Sequence, residues 1–340
     1  MTTHSQKNSI RTRPAPNCGL CGKQGQRLYE SVTDTLCGVP GIWSFRSCEN
    51  PDCGLLWLDP MPLEDDIINT YKTYFTHTGK SSRRQQLVQF VKAGYMATKY
   101  GYSRESVSRL QRLIGLLAYL AIFRRSGLDF LVHHLSALPH GRVLDVGCGD
   151  GQILQFMQNL GWVAEGVDFD PVAVENARQK GLRVHAGTLQ SLAAPSNSFE
   201  AIILSHVIEH VHAPAELLRE CHRLIKPRGR LIVLTPNADS WGHRKFQNCW
   251  RGLEPPRHLQ IFTPQSLRRL AQQAGFEKIT LTTTLRNADK ILRISRALRR
   301  PGSSSNPFAR LSVKALQLAE WFAWKRDPDS GEELDLIVEK

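Results

Sequence analysis

The chain lacks any apolar run long enough to cross a bilayer, and its N-terminus has no apolar core of the secretory-signal kind. It therefore reads as cytoplasmic. It is also poor in acid: 31 Asp and Glu stand against 44 Lys and Arg, a formal charge of +13. That balance is high for a metabolic enzyme. It points to an anionic partner, whether nucleic acid, anionic lipid or a phosphorylated substrate, with a solvated basic surface as the plainer account. Eight cysteines in such a chain argue for thiols and metal rather than disulfides. The length allows two domains, and the apolar fraction is ordinary for a protein with a large core.

What is present centres on Arg142-Val143-Leu144-Asp145-Val146-Gly147-Cys148-Gly149-Asp150-Gly151. A strand runs into three alternating glycines, and an apolar-periodic helix follows from about Gln152. Alternate glycines allow a sharp turn and let a ligand lie against backbone, beside the N–H groups of the next helix. A second strand, 163–167, ends in Asp168 about twenty residues on, where a carboxylate suits ribose hydroxyls. Further strands are expected over 182–186, 199–204 and 230–235. The third leads to Gly187-Thr188-Leu189, and the fourth to Ser205-His206-Val207-Ile208-Glu209-His210. A helix from about Ala215 leads to Lys226-Pro227-Arg228-Gly229. The turn does not have the G-x-G-x-x-G spacing of a dinucleotide site.

In order and spacing, residues 140–280 resemble the class I S-adenosylmethionine (SAM)-dependent methyltransferases. The resemblance rests on Leu144 to Gly151, Gly166-Val167-Asp168, Gly187-Thr188-Leu189, Glu209-His210 and Leu224 to Leu231. It implies an α/β fold: a Rossmann-like sheet of seven strands, the sixth over 276–284 and a closing antiparallel one over 334–340. The cofactor would be SAM. Gly147, Gly149 and Gly151 would line its methionine part, and Asp145 would hold its amino group. Asp168 would take the ribose hydroxyls and Phe169 would lie against the adenine. Thr188, Leu189 and Ser205 complete the implied cofactor set, although many relatives carry an acid at or beside Thr188.

The domain expectation is a disordered tail over 1–16, a zinc-ribbon-like module over 17–60, a helical basic region over 61–138, and the methyltransferase domain over 139–340. In the module, Cys18-Gly19-Leu20-Cys21-Gly22 and Cys48-Glu49-Asn50-Pro51-Asp52-Cys53-Gly54 supply two thiolate pairs for a structural, tetrahedral zinc. The second pair is spaced by four residues where two is usual, and Cys37 could replace a ligand. A cysteine knuckle followed by a run bearing Tyr71 and Tyr74 resembles the N-terminal module of bacterial sugar methyltransferases. There, such tyrosines cover cofactor or substrate; core packing is the alternative.

Two basic segments flank the domain. From Arg83 to Gly127 nine Lys and Arg meet one acid, Glu105, around the apolar run 113–123. The insertion 285–326 carries ten against Asp289 and Glu320, and its helix over 311–324 ends in Trp321-Phe322-Ala323-Trp324. Both read as amphipathic helices that either lie at an anionic membrane face or pack on the core.

For the chemistry, His206, Glu209, His210 and His258 are the candidate bases. His206 to His210 resembles the E-x-x-E-H segment of ubiquinone-pathway O-methyltransferases, where acid and histidine serve a divalent cation. Here a histidine stands in the first acid's place. His258 matches the histidine base of sugar C-methyltransferases without the acid that precedes it there, and Arg251 and Arg257 could meet an acceptor's phosphate or carboxylate. The implied function is methyl transfer to a small or lipid-linked acceptor, most simply a sugar or glycan hydroxyl or carbon, with peripheral contact to anionic membrane. An rRNA or tRNA methyltransferase is the alternative, disfavoured because Thr235-Pro236-Asn237 does not match the tetrapeptide of base N-methylation. A non-catalytic SAM-binding scaffold is the third reading.

Overall fold

The computed structural model describes residues 10–71, 91–102, 107–120, 132–137, 141–300 and 307–340. Five short strands open the chain: β1 (Thr12–Arg13), β2 (Gly25–Val32), β3 (Trp43–Cys48), β4 (Leu56–Leu58) and β5 (Met61–Pro62). Eight more follow: β6 (Arg142–Val146), β7 (Val163–Asp168), β8 (Arg183–Ala186), β9 (Phe199–Ser205), β10 (Ile225–Pro236), β11 (Gln260–Ile261), β12 (Lys278–Thr284) and β13 (Glu333–Glu339). The main sheet has seven strands in the order β12-β13-β10-β9-β6-β7-β8. This is the α/β sheet expected from the sequence. Strand order reverses at β6, which pairs in parallel with β7 on one side and β9 on the other. Ligands of open α/β sheets bind at such a reversal, outside the carboxyl ends of the strands.

Chain contacts define two compact units, Met1–Tyr74 with His206–Arg219 and Val233–Leu336, and Phe75–Ser205 with Glu220–Ile232 and Ile337–Lys340. This division does not follow the expected boundary at 139.

In the second unit, β6 is buried from Val143 to Val146, as a strand covered on both faces must be. The helix Gln152–Asn159 turns Leu154 and Met157 inward, three residues apart on one face. The helix Pro171–Gln179 starts where the Asp170 side chain accepts the Val172 N–H, with Pro171 at its first position. Tyr95, Tyr100 and Tyr102 join the same core as Val143, Leu154 and Trp162. Tyr102 Oη takes the Trp162 indole N–H at 2.8 Å and donates to the Leu135 carbonyl at 3.1 Å. This part of the basic helical region is therefore core. Next to it the helix Arg109–Leu120 packs Gly115 directly on Gly94, where an added Cβ would meet backbone at 2.2 Å. Its Leu110, Leu113, Leu116 and Leu117 stay exposed. β10 starts earlier than its expected 230, because the Arg228 N–H donates to the Lys340 carbonyl and the Lys340 N–H to that of Gly229.

In the first unit, a four-stranded sheet runs β11-β4-β3-β2, and β1 pairs with β5. The expected disordered tail is thus ordered from residue 10 onward. Arg11 holds Asp66 through its guanidinium at 2.9 and 3.1 Å, and the Ala15 carbonyl takes the Trp57 indole N–H at 2.7 Å. The helix Pro264–Gln273 carries a reciprocal Thr263–Ser266 capping box and ends before Gly275, whose φ is +96°. Within the insertion lie helices Ala288–Arg299 and Pro307–Arg326. Trp324, expected to face headgroups, instead donates to Thr283 Oγ1 at 3.0 Å, whereas Phe322 is exposed. Tyr71 ends a 3₁₀ helix, Glu64–Tyr71, and Tyr74 falls outside the described residues.

Candidate active site, cofactor cradle and metal centre

The cradle lies wholly in the second unit, at the carboxyl ends of β6 to β9. Past Val146 the backbone turns left-handed at Gly147, Gly149 and Gly151, with φ of +70°, +54° and +81°. The glycines serve different ends. An added Cβ on Gly149 would meet nothing within 4 Å, so this position leaves open space for a ligand. On Gly151 it would strike Leu182 Cδ1 at 2.2 Å, so this glycine serves packing. Asp168 stabilises the turn: its carboxylate accepts the N–H of Gly149 at 2.8 Å and of Asp170 at 2.9 Å. Each oxygen retains a second lone pair for a hydroxyl donor.

Asp145 is 1% exposed, and its Oδ2 is buried without a hydrogen-bond partner. Burial, and then the charge of Asp168, push its carboxyl well above the usual range. A buried carboxylate in that state calls for a cation or a donor, and the α-ammonium of SAM is both. The residues present therefore fit the implied cofactor. Phe169 is 44% exposed and Leu189 is buried. Thr188 is exposed, with its carbonyl taking the Ser191 hydroxyl, and Ser205 ends β9 half-buried.

The candidate acid–base residues belong to the first unit. Glu209, on the 3₁₀ turn Ile208–His210, is fully buried. Its carboxylate contacts His206 Nδ1 at 3.2 Å and accepts from Thr235 Oγ1 at 3.0 Å. Burial alone would raise it, but the His206 hydrogen bond and nearby histidines hold it down at about 2. His206 also reaches Glu333 at 3.3 Å through Nε2. Burial works against its charge, yet the two carboxylates raise its pKa, so it is a fixed imidazolium. That removes it from the candidate bases.

His258 is the reverse case. Its Nδ1 contacts the Gly252 carbonyl at 2.7 Å, which makes it the N–H and leaves Nε2 the basic atom. Burial lowers its pKa to about 4, Glu254 only partly opposing, so the ring is neutral near pH 7. Glu254 Oε2 lies 3.6 Å from Nε2. The acid missing at 257 is thus supplied four residues before the histidine. His210 repeats the pattern, with Nδ1 2.9 Å from the Arg257 carbonyl.

Arg257 is not available to an acceptor. It is 1% exposed and bonded to Asp34 at 3.0 Å and Glu254 at 2.9 Å. Arg251 pairs with Glu254 as well. The expectation that these arginines receive an acceptor's anion is corrected: burial against Asp34 and Glu254 closes Arg257 off, and pairing with Glu254 occupies Arg251. Asp34, Thr235 and Glu333 gave no signal in the sequence; Glu254 and His258 are visible only as an i,i+4 pair.

Among the described residues, two clusters could hold a metal ion. Cys18, Cys21, Cys48 and Cys53 converge, with Sγ–Sγ distances of 3.7 Å for Cys18–Cys53 and 3.3 Å for Cys21–Cys48. A tetrahedral zinc with bonds of about 2.3 Å sets its sulfurs about 3.8 Å apart. Cys37 is not among them; its N–H donates to Asp34. The second cluster is Glu209, His210 and His258, with ligand atoms within 4.8 Å of one another. Two imidazoles tied at Nδ1 to carbonyls are oriented as metal-bound histidines usually are. Two nitrogens and one oxygen suit a first-row transition ion better than Mg²⁺.

Residues 119–281 match a family model described as a methyltransferase domain. The chain is 37% identical over 117 residues to a ubiquinone biosynthesis O-methyltransferase of Xanthomonas oryzae pv. oryzae, covering 32% of this chain and 48% of that protein. It is 31% identical over 150 residues to the protein of that name from Roseobacter denitrificans, covering 41% and 60%. The chain thus spans about half the length of the curated relatives it matches. Among solved structures it is similar to a SAM-dependent methyltransferase from Archaeoglobus fulgidus, with a TM-score of 0.42, 20% identity and coverage of 72% and 97%. Another is phosphoethanolamine N-methyltransferase 2 of Haemonchus contortus, with a TM-score of 0.44, 15% identity and coverage of 84% and 62%.

Proposed function

We propose that this chain is a SAM-dependent methyltransferase acting on a hydroxyl of a small or lipid-linked acceptor. The observation that carries the reading is Asp145: a buried carboxylate whose Oδ2 has no partner, beside a glycine turn, within a segment that matches a methyltransferase domain. SAM, when bound, supplies an electrophilic methyl on a sulfonium. The chain must hold the cofactor and take a proton from the attacking hydroxyl. Asp145 meets the ammonium, Gly149 leaves room for backbone contact, and Asp168 receives the ribose hydroxyls while bracing the turn.

His258 is the base, because it is neutral, with its N–H fixed on Gly252 and its lone pair at Nε2. Glu254 then stabilises the imidazolium as it forms. Such a base contributes roughly 10²–10⁴ in rate. A specific observation favours a second arrangement for the same residues: His210, His258 and Glu209 converge and would hold a divalent metal, which would supply Lewis-acid chemistry toward the acceptor hydroxyl. A structural zinc on the four cysteines stabilises the N-terminal module in either case.

The relatives named for ubiquinone biosynthesis support an aromatic or isoprenoid-linked hydroxyl as acceptor, and the cysteine module with His258 supports a sugar hydroxyl or carbon. Titration of SAM into zinc-loaded protein tests the cofactor reading, followed by labelled methyl transfer to a panel of prenylated catechols and nucleotide-linked sugars. Failure of the folded protein to bind SAM would remove the enzyme reading altogether.

A further inference from the structure

Within the first unit, a groove of about 500 Å³ is lined by Lys245, Phe246, Arg296, Arg299, Arg300 and Leu316 among others. Its cations come from the ends of two helices, Trp241–Phe246 and Ala288–Arg299 with its C-cap Arg300. Arg296, Arg299 and Arg300 share a face at i, i+3 and i+4. The Arg299 guanidinium crosses to the other helix and donates to the Lys245 carbonyl at 3.0 Å, which fixes its position across the gap.

Basic residues at helix ends are common because they offset the macrodipole. Here they exceed that need. Two helix C-termini contribute roughly −0.5 each, so Lys245, Arg299 and Arg300 by themselves leave a charge of roughly +2. Neighbouring acids do not cancel it. No carboxylate pairs with Lys245, Arg299 or Arg300 among the described residues, and Asp327 is taken by Arg244 at 3.1 Å. Glu320 is 1% exposed and held in its own pair with Glu332. Asp289 is seven residues before Arg296, about 10 Å along the helix. Buried Phe246 and half-buried Leu316 add an apolar wall.

We propose that this groove binds a phosphate-bearing anion, with the guanidinium of Arg299 as its fixed fork and Arg296, Arg300 and Lys245 supplying the remaining charge. Forked guanidinium groups match phosphate oxygens in pairs, and the apolar wall accepts the organic part next to the phosphate. The anion is a soluble phosphate or diphosphate ester or a phospholipid headgroup; the chemistry is shared. Its assignment to the methyl acceptor rests on the methyltransferase reading above, whereas anion binding itself does not.

The test uses full-length, zinc-loaded protein at low ionic strength, where screening lengths exceed about 10 Å. Inorganic pyrophosphate is titrated calorimetrically. In parallel, the protein is sedimented with phosphatidylcholine vesicles, with and without phosphatidylglycerol. The paired variant Arg299→Gln/Arg300→Gln is compared with a control pair on a different surface, Lys23→Gln/Arg27→Gln. The expected result is saturable pyrophosphate binding, weakened at least tenfold in the groove variant and unchanged in the control, with far-ultraviolet dichroism preserved in both. Binding of pyrophosphate without vesicles identifies a soluble ester. Binding to phosphatidylglycerol vesicles that pyrophosphate reverses identifies a headgroup. Absence of saturable binding, or equal loss in both variants, overturns the proposal. SAM titrations on the same samples separate this outcome from failure of the methyltransferase reading.

Discussion

The rings of His210 and His258 meet edge to face with centroids 4.8 Å apart, and each commits its Nδ1 to a main-chain carbonyl. Each ring brings one nitrogen into a common cluster. Both nitrogens lie near Glu209, whose carboxylate is kept ionised by the fixed positive charge of His206. A general base and a metal ligand set are thus built from the same atoms, and the two uses make different predictions.

If His258 is the base, His258→Gln lowers kcat by roughly 10²–10⁴ and leaves SAM affinity unchanged. The acid limb of kcat/KM then falls near pH 4. Burial lowers the His258 pKa to about that value, and only below it is Nε2 protonated and unable to accept. A loss smaller than threefold would remove His258 from the mechanism.

Metal analysis separates the alternatives. One zinc per chain is expected on Cys18, Cys21, Cys48 and Cys53, lost in Cys48→Ala together with several degrees of Tm. A second equivalent that binds after loading with Zn²⁺ or Mn²⁺, and is lost in His210→Ala, would assign a metal to the histidine pair. Activity unchanged by chelators that spare the cysteine site would leave His258 as a base alone.

Asp145→Asn should act on cofactor and fold in opposite directions. Without the charge, SAM affinity drops by at least tenfold, since the ammonium loses its counterion. The free protein gains stability at pH 8, because burial and Asp168 raise the Asp145 pKa in the folded state only. A carboxyl raised on folding stabilises at low pH and loses that contribution as pH rises. Unchanged SAM affinity would show that Asp145 is a core residue and not a ligand.

The Glu320–Glu332 pair gives a similar signature away from the site. Glu332 accepts the Trp250 indole N–H at 2.9 Å and the Gly242 N–H at 2.8 Å, and burial with the neighbouring Glu332 pushes Glu320 up to about 10. The pair keeps one proton that the unfolded chain releases near pH 4.5, so wild-type stability should fall steadily as pH rises from 5 to 9. Glu320→Gln retains a donor without a titrating proton. It should flatten that slope and be more stable than wild type at pH 9 by more than about 1 kcal/mol. Parallel pH profiles for the two proteins would contradict a shared proton.

Local pattern carried the main sheet and the cradle. β6, the left-handed glycines, Asp168 after β7 and the Thr263–Ser266 cap all depend on neighbours a few residues apart, and their spacing is written in the chain. Cysteine chemistry likewise made Cys18, Cys21, Cys48 and Cys53 legible despite the irregular second spacing. Tertiary structure decided charge and availability. Arg257 looked open to a ligand, but Asp34 lies 223 positions away and buries it; His206 looked like a base until Glu333 arrived from the last strand. Glycine turns and helix caps are settled by backbone sterics within a few residues. Protonation states are settled by desolvation and by charges within a few ångströms, and those charges come from any part of the chain.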